Sequence, residues 1–236
     1  MFIIQLRGGT LKNQKELNKD IQTKRIMNYF ISATAEIIEK EGFDKVTIRK
    51  IANKAGYNSA TIYNYFEDLS HLIFFASMSM VKKYTDALPG YLEKAKTPLE
   101  KYFLIWECFC KYSFESPQIY YAVFSSNLGT HPINMHKYYE YSPSDIVQIL
   151  ESDDDIRLML LESDKSKRTL ISLDECVREG YIQGVEAEKL ADIHSLIWHG
   201  MLTLFINNRT TYTVDQAAEV TLNHIRNTTP INGYDV

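Results

Sequence analysis

Apolar residues recur at intervals of three and four positions along most of the chain. Over 24–41 this spacing places Ile26, Phe30, Ala33 and Ile37 on one side of a helix, and Gly42 follows where a helix commonly ends. No run of alternating β-branched and polar residues between turn dipeptides indicates a strand. The pattern therefore predicts an all-α protein of about nine helices.

Two short helices separated by a glycine follow the first helix. Thr47 can cap a helix that Gly56 ends, and Asn58 or Ser59 can begin a third helix that runs to about Phe66. Short helices joined by a tight turn form the helix-turn-helix arrangement. We expect such a domain over 23–70. A polar arm or marginal helix over 1–22 precedes it, and a second helical domain over 71–236 follows.

Further helix boundaries are marked by prolines, caps and glycines. A helix that begins near Leu69 is expected to end at Pro89-Gly90. Thr or Ser before proline predicts helices over 97–114 and 116–127. The remaining predicted helices cover 142–152, 164–184, 186–208 and 213–228. The segment 131–145 is interpreted as a loop or broken helix, and the acidic run 153–155 as a solvated loop.

Charge and cysteine content narrow the class of protein. The 236 residues carry a net charge of −4, but residues 1–72 carry 11 Lys or Arg and 8 Asp or Glu, a net of +3. This asymmetry suits a nucleic-acid-binding end on an acidic protein. Three cysteines fit a reducing compartment, and the longest apolar run, residues 72–81, is too short to span a membrane. We expect a soluble, cytoplasmic protein.

The start of the third helix has side chains that suit the DNA major groove, which is about 12 Å wide. Four of them are small or able to hydrogen-bond bases: Ser59, Ala60, Thr61 and Asn64. Tyr63 and Tyr65 can donate hydroxyl hydrogen bonds to phosphates, which set the register of a protein on DNA. Helix pairs of this kind also occur in bundles that bind no DNA, so burial of Tyr63 at a domain junction remains an alternative.

Several short motifs stand at fixed spacings between residues 24 and 72. They are Ala33 in the first helix, Gly42-Phe43, Thr47-Ile48-Arg49-Lys50-Ile51-Ala52, Ala55-Gly56-Tyr57, and Thr61-Ile62-Tyr63-Asn64-Tyr65-Phe66. With these motifs the segment resembles the DNA-binding domain of TetR-type transcriptional regulators over about 50 residues. The resemblance implies a homodimer that binds a near-palindromic operator in double-stranded DNA.

The resemblance also implies roles for particular residues. Those implied to contact the DNA backbone are Thr47, Thr61, Tyr63 and Tyr65, and those nearest the bases are Arg49, Ser59, Ala60 and Asn64. Leu69 stands where the family usually has a phosphate-binding lysine. Basic residues at 12, 15, 19, 24 and 25 either compensate by contacting DNA or belong to a solvated tail.

The second domain contains Trp198-His199-Gly200, which resembles a segment of one subgroup of TetR-type carboxy-terminal domains. The family dimerises through its last two helices, and an interface there is consistent with four apolar residues: Leu196, Ile197, Leu202 and Phe205. Gly200 lies in mid-helix, where glycine costs about 1 kcal/mol relative to alanine. Close approach of another helix is the expected reason.

Large aromatic residues are concentrated in the middle helices. An effector pocket for a small apolar or aromatic molecule is predicted from Phe103, Trp106, Phe109, Tyr121, Phe124, Trp198 and His199. An ordinary hydrophobic core is the alternative. Because no cluster of basic residues is seen to face these helices in the sequence, a strongly anionic ligand is less favoured.

No metal site, cofactor or enzyme is expected. Cys108 and Cys110 lie about 200° apart on a helix and cannot share a metal ion within it. His194 and His199 do not have the i, i+4 spacing of ligands on one face. No nucleophile–base pair or phosphate-binding glycine loop stands out. Sensing of metal or redox state by Cys108, Cys110 or Cys176 stays open.

Two functions remain from the sequence. The first is a transcriptional regulator, by family resemblance a repressor, that a small-molecule effector releases from its operator. The second is an architectural or cell-division factor of the same fold, which binds DNA and recruits a protein partner without an effector. A collapsed core without a pocket would favour the second.

Overall fold

The computed structural model describes residues 14–126, 135–142, 145 and 153–230, with side chains described from Asn18 onward. Within these residues the chain forms eleven α-helices, one short 3-10 helix and no strand. The all-α prediction is therefore confirmed. The chain divides into two compact units, an N-terminal unit (Met1–Ala76) and a C-terminal unit (Ser77–Val236).

The N-terminal unit is built around Phe30 and Phe66. Its elements are α1 (Gln14–Glu41), the 3-10 helix Phe43–Lys45, α2 (Ile48–Ala55), α3 (Ser59–Ile62) and the first turns of α4 (Leu69–Leu92). Phe30, Ile51 and Ile62 are completely buried, and Phe66 is 1% exposed. Helix α1 begins ten residues before the predicted start near residue 24. Residues 14–22 of the predicted arm are therefore helical, whereas residues 1–13 lie outside the described residues.

Helix α3 is shorter than predicted, because it ends at Ile62 and not near Phe66. The backbone N–H groups of Asn64 and Tyr65 bond carbonyls three residues earlier, so the chain tightens into a turn. The Phe66 ring then packs edge-on against Phe30, with ring centroids 6.4 Å apart. Burial of this ring fixes where the chain leaves the turn.

The C-terminal unit contains the remaining helices, packed around aromatic side chains. They are α5 (Pro98–Glu115), α6 (Pro117–Phe124), α7 (Met135–Tyr141), α8 (Asp154–Leu161), α9 (Lys165–Arg178), α10 (Gly184–Ile206) and α11 (Val214–Thr228). Helix α5 packs against α9, α10 and α11. Tyr102, Trp106, Phe109 and Trp198 are each no more than 2% exposed and form the centre of this unit.

Several predicted boundaries in this unit were wrong. Helix α4 continues past Pro89 to Leu92, because a proline near the end of a helix removes only one of its backbone hydrogen bonds. Part of the predicted loop 131–145 is helix α7. Helix α9 ends at Arg178, and Gly180 with φ 79° turns the chain there, six residues before the predicted end. The predicted helix 142–152 lies mostly outside the described residues.

The acidic run 153–155 is a helix start and not a solvated loop. Asp153 Oδ1 accepts hydrogen bonds from the backbone N–H groups of Asp155 and Ile156, at 3.0 and 3.1 Å. Its Oδ2 lies 2.5 Å from Nζ of Lys101. A carboxylate at this position satisfies unpaired N–H groups and suits the helix dipole, so the run begins α8.

One polar network joins three helices of the C-terminal unit through the buried imidazole of His194. Tyr102 Oη lies 2.5 Å from Nδ1, and Thr228 Oγ1 lies 3.0 Å from Nε2. Thr228 already donates its hydroxyl proton to the carbonyl of His224 at 2.8 Å. Therefore Nε2–H donates to Thr228, and Nδ1 accepts from Tyr102. Both ring nitrogens are satisfied by the neutral imidazole, and burial lowers the pKa of His194 from 6.5 to about 4.

This network predicts a loss of stability in acid. Between pH 6.5 and about 4 the unfolded imidazole binds a proton that the folded one does not. The free energy of unfolding should therefore fall by up to about 1.4 kcal/mol per pH unit in this window. Denaturant unfolding followed by tryptophan fluorescence measures it, because Trp106 and Trp198 are the two tryptophans of the chain and both lie in this unit.

The His194→Gln variant is the control, since an amide has hydrogen-bonding groups but no proton to gain in this range. Its stability should depend less steeply on pH between 6.5 and 4 than that of the unaltered protein. Equal slopes for the two proteins would show that His194 is not responsible.

Candidate nucleic-acid interface and internal pocket

The caps of α2 and α3 position the side chains of the helix-turn-helix. Thr47 Oγ1 accepts the backbone N–H of Lys50 at 3.3 Å, which leaves its hydroxyl proton for another acceptor. Asn58 Oδ1 accepts both the backbone N–H and the hydroxyl of Thr61, each at 3.0 Å. The hydroxyl proton of Thr61 is therefore used in a hydrogen bond within the protein. The hydroxyl must rotate before it can donate to a phosphate.

The side chains expected to contact DNA lie at the surface of this unit to different degrees. Arg49, Thr47, Ala60, Tyr63 and Asn64 are exposed, and Ser59, Thr61 and Tyr65 are half-buried. Tyr63 is 58% exposed and is therefore not part of the core of this unit. The exposed side chains belong to α2, α3 and the turn that follows, which is the arrangement that a groove-binding helix pair needs.

Ion pairs within the N-terminal unit determine which basic side chains of α2 have no carboxylate partner and so keep their full charge for binding DNA phosphates or bases. Lys50 pairs with Glu41, and Lys54 Nζ lies 2.8 Å from a carboxylate oxygen of Glu36. In the described part of the unit, Arg49 has no carboxylate partner. Of the three cationic side chains on α2, Arg49 is thus the one that carries an uncompensated charge.

The aromatic residues of the C-terminal unit form one cluster, but not all of those predicted for the pocket belong to it. The Phe109 ring lies 5.1 Å from Trp198, 5.4 Å from Phe124 and 6.1 Å from Trp106, measured between centroids. His199 stacks edge-on against Trp198 at 4.5 Å. Five of the residues predicted for the pocket thus lie in one cluster, and their role in binding an effector stays a prediction.

Two of the predicted pocket residues lie elsewhere. Tyr121 is 43% exposed at the surface. Phe103 packs beside Tyr102 and under the guanidinium of Arg226, which lies 5.5 Å from its ring centroid. Of the seven residues predicted for the pocket, Trp106 and Phe109 line the cavity that the cluster borders, and the other five do not.

That cavity lies between α4, α5, α8 and α9. Its walls include Tyr84, Trp106, Phe109, Lys165, Arg168 and Ser172. Its volume is about 10 Å³, which is room for about one water molecule. The described residues thus place a small polar cavity beside the aromatic cluster, and this cavity by itself has no room for more than about one water molecule.

Two buried cations border this cavity, and the sequence reasoning missed both. The Lys165 ammonium lies 4.0 Å from the Trp106 ring centroid and 4.3 Å from that of Phe109. Lys165 is 9% exposed and Arg168 is 3% exposed. The expectation that no basic residues face the aromatic helices was therefore wrong. Lysine and arginine are usually assigned to the solvent side of a helix, because they are rarely buried.

A signal in the sequence could have revealed these cations. Lys165, Arg168 and Thr169 share helical spacing with Leu173 and Cys176, which are apolar and fully buried. Residues at intervals of three, four and seven lie on one face of a helix, so the buried face of α9 had to include the cations.

Electrostatics in the cavity follow from burial. Burial and the nearby Arg168 guanidinium hold the pKa of Lys165 well below its usual value. Burial raises the pKa of Tyr84 to about 12, so its hydroxyl keeps its proton. That hydroxyl has no hydrogen-bond partner among the described residues. A buried polar group without a partner costs about 1–3 kcal/mol.

The cysteines and histidines do not form a metal site in the described parts of the chain, where no group of three or more potential ligands comes together. Burial raises the pKa of Cys108 and of Cys176 to about 12 and raises that of Cys110 as well. All three thiols are therefore protonated near neutral pH, which lowers their reactivity. None of the helices searched in the described residues is long and apolar enough to cross a membrane.

An exposed apolar stripe runs along α10. Leu196 is 71% exposed, Ile193 41% and Leu204 40%, and Gly200 lies on the same face of the helix. No atom lies within 4 Å of the position that a Gly200 Cβ would take. The close helix approach expected at Gly200 is therefore not made within the described residues of this chain.

Of two further residues expected at a dimer interface, Leu202 is buried in the core and Phe205 is half-buried against α5. Leu202 is 1% exposed, and the Phe205 ring stacks on that of Phe114 with centroids 5.3 Å apart. They lie on the opposite side of α10 from Leu196. The spacing of apolar residues on α10 did not show which side of the helix is buried within the chain and which is exposed for a second copy.

Comparisons with known proteins agree with this architecture. The family model for bacterial regulatory proteins of the tetR family matches residues 30–73. The HTH-type transcriptional regulator HbdR of Aromatoleum sp. (strain CIB) is 28% identical over 71 residues, which are 30% of this chain and 31% of that protein. The match thus spans about a third of the relative's length.

Solved structures share the fold over most of the chain. FadR of Thermus thermophilus, a TetR family transcriptional repressor in complex with lauroyl-CoA, has a TM-score of 0.55 at 12% identity, covering 89% of this chain and 98% of its own. FadR of Bacillus subtilis in complex with stearoyl-CoA has a TM-score of 0.54 at 17% identity, covering 88% and 99%. At these identities the likeness shows the fold alone.

The family model covers the residues that the structure folds into a helix-turn-helix, and the helical architecture extends through both units. Residues 30–73 thus match the tetR family of bacterial regulatory proteins, and the chain as described shares the fold of solved TetR family regulators.

Proposed function

We propose that the protein is a homodimeric, sequence-specific DNA-binding regulator and not an enzyme. The observation that carries this proposal is Arg49, exposed and without a carboxylate partner in the described structure, on a helix-turn-helix that matches the family model. Arginine can bond the O6 and N7 atoms of guanine together in the major groove. Tyr63 and Thr47 supply hydroxyl groups for phosphates on either side of it.

We propose further that the regulator is a repressor and that a small molecule bound in the C-terminal unit releases it from DNA. Two proteins of the same fold are FadR complexes with acyl-CoA molecules. In this chain the Trp106–Phe109–Trp198 cluster and its polar cavity support a bound effector. A symmetric operator requires two recognition helices about 34–36 Å apart, so a shift of a few Å would release the DNA.

One observation supports the alternative function, an architectural factor that binds DNA without an effector. The cavity holds about one water molecule, which is closer to a filled core than to an open pocket. Two buried cations at its wall weigh against an ordinary core, because filling a core with apolar side chains avoids the cost of burying charge.

Dimerisation is proposed through the stripe of Ile193, Leu196, Gly200 and Leu204 on α10 together with α11. Exposed apolar side chains aligned on one helix face mark an interaction surface. A glycine in the same stripe lets the backbone of a second copy approach closely, which would offset the cost of glycine within a helix.

The Arg49→Ala variant tests sequence-specific binding. Selection of DNA sequences from a random pool should recover one near-palindromic site with the unaltered protein. The variant should bind that site roughly 5- to 150-fold more weakly per half-site, because a bidentate contact to guanine discriminates by about 1–3 kcal/mol. Its affinity for random DNA should change much less. Titration of both DNAs at one fixed salt concentration measures the ratio.

Lys54→Ala is the matched control, since Lys54 lies on the same helix but is paired with Glu36. This variant should keep the preference for the selected site over random DNA. The Tyr63→Phe variant should lose affinity for both DNAs by a similar factor, because it removes a phosphate donor and no base contact. If no sequence is enriched, or if Arg49→Ala leaves the preference intact, the proposed readout is wrong.

The Leu196→Asp variant tests the proposed dimer surface. A symmetric dimer carries the change twice, and each copy loses the burial of a leucine side chain, worth about 2 kcal/mol, and would have to bury a carboxylate. The dimer dissociation constant should rise by more than about 100-fold. Sedimentation equilibrium measures this constant.

Leu158→Asp is the control, because Leu158 is also an exposed leucine, at 51%, but lies on α8. It should leave the dimer unchanged. Since both side chains are exposed in the chain, neither variant should lose its helical circular dichroism. A Leu196→Asp protein that remains fully dimeric would place the interface elsewhere.

A further inference from the structure

We propose that the cavity between α4, α5, α8 and α9 is the binding site for the carboxylate group of an apolar monoanion, held by Lys165 and Arg168 with its apolar part against Trp106 and Phe109. This inference deepens the proposed regulator, since the effector role of such a molecule rests on that function. Binding itself does not depend on it. The sequence predicted a small apolar or aromatic molecule, and the two buried basic residues add a carboxylate group to that description.

The first argument is the balance of charge in the cavity. Lys165 and Arg168 lie three residues apart on the buried face of α9. In the described parts of the chain neither forms an ion pair with a carboxylate. The ammonium instead faces three aromatic rings, with Trp198 the farthest at 5.7 Å. Such contacts offset only part of the cost of removing a charge from water. Burial beside Arg168 also holds the pKa of Lys165 well below its usual value, so the charged form is disfavoured while the cavity holds no anion. An anion in the cavity would supply the opposite charge and favour the protonated amine.

The second argument is the balance of hydrogen-bond donors and acceptors. Lys165 has three N–H groups and one protein contact, a long one of 3.4 Å to Thr169 Oγ1. Arg168 bonds the carbonyls of Met159 and Leu160 through Nη1 only, at 3.0 and 3.3 Å. The hydroxyl of Tyr84 lies near the Arg168 guanidinium but meets no group at full hydrogen-bond geometry within the described residues. Donors therefore exceed acceptors, which is what a site for carboxylate oxygens requires.

The neutral hydroxyl groups nearby do not correct this excess. Thr169 donates its hydroxyl proton to the carbonyl of Lys165 at 2.8 Å, and Ser172 donates to the carbonyl of Thr169 at 2.6 Å. Both protons are thus used within α9. Each oxygen can accept one bond, but two hydroxyl oxygens cannot neutralise two cations.

The apolar surroundings favour a monoanion over a dianion. The walls beyond the two cations are Tyr84, Ile105, Trp106, Phe109 and Met159. A phosphate dianion would need further donors, because an uncompensated charge in apolar surroundings is costly. A carboxylate carries one charge and continues into an apolar body that the rings can contact.

The size of the cavity links binding to a change of conformation. The cavity volume of about 10 Å³ is room for about one water molecule. A two-carbon acid is therefore too large to fit inside it. The ligand must therefore bind a state in which the lining has moved. A molecule that binds one of two states better shifts the equilibrium toward that state, which is the property that an effector needs.

Matched acid and amide pairs test the inference. The probes are phenylacetate with phenylacetamide, and hexanoate with hexanamide, titrated into the full-length protein by calorimetry and by tryptophan fluorescence. At least one acid should bind at least about tenfold more tightly than its amide, which has the same shape but no charge. Fluorescence should change on binding, because Lys165 contacts both tryptophans.

The Lys165→Met variant identifies the site. It should lose the acid preference and weaken binding of that acid by at least about tenfold, yet its melting temperature without ligand should rise, because an unpaired buried cation is replaced by an apolar side chain of similar length. The rise would show that lost binding is not lost folding. Lys167→Met is the control, since Lys167 is exposed on the same helix, and it should bind the acid normally.

Three results would overturn the inference. They are no binding of either acid at about 10 mM, equal binding of acid and amide, and unchanged acid binding by Lys165→Met. Each is independent of DNA. A protein that selects an operator but binds no acid would keep the proposed regulator and lose the anion site, and one that binds an acid but enriches no DNA sequence would do the reverse.

Discussion

The packing of Phe109 on α5 against Trp198 on α10 is the contact on which the C-terminal unit depends. The two ring centroids are 5.1 Å apart, and the indole N–H of Trp198 donates to Ser113 Oγ at 2.9 Å. About two turns nearer the start of α5, Tyr102 donates to His194. These contacts fix the two helices at two levels, so α9 and α11 pack against a rigid pair. Buried aromatic rings with satisfied polar ends combine a large hydrophobic contribution with a defined orientation.

This rigid pair makes the presence of Lys165 informative. The core that contains Trp106, Phe109 and Trp198 is rich in apolar surface. A methionine or leucine at position 165 would therefore pack against the same rings. Proteins tolerate a destabilising group where function requires it. The cost of burying Lys165 beside Arg168 is therefore explained if a ligand offsets it, and it has no explanation in the packing of the unit alone.

Sequence patterns predicted the parts of the structure in which local chemistry decides the outcome. Thr47 and Asn58 act as caps through their own side chains, and Gly56 adopts the left-handed conformation with φ 78° that the turn needs. The clustering of the aromatic residues was also predictable, because large apolar side chains on one face of a helix are buried together in the core.

The predictions that were wrong concern features that depend on tertiary packing and not on local sequence. Leu202 and Leu196 are the same residue type on one helix, yet one is 1% and the other 71% exposed. Helix α3 ends at Ile62 because the burial of Phe66 redirects the chain, which no propensity of residues 63–65 reveals. Lys165 and Arg168 lie inside because the rest of their helix face is apolar, so the pattern of the whole helix outweighs the usual preference of a charged side chain for water.

The distribution of charge in the N-terminal unit bears on how DNA would be recognised. Lys50 and Lys54 are held by Glu41 and Glu36, and position 69, at the start of α4, is a leucine. Nonspecific affinity for DNA depends on the number of phosphates neutralised by cations. A surface with few unpaired cations gains little affinity for arbitrary sequences, so in the proposed regulator the contacts of Arg49 with bases would form a larger fraction of the total. A weakly charged helix-turn-helix would then depend on a second half-site for much of its affinity. The proposed dimer surface on α10 would in this sense contribute to DNA binding, because it would bring a second helix-turn-helix to the operator.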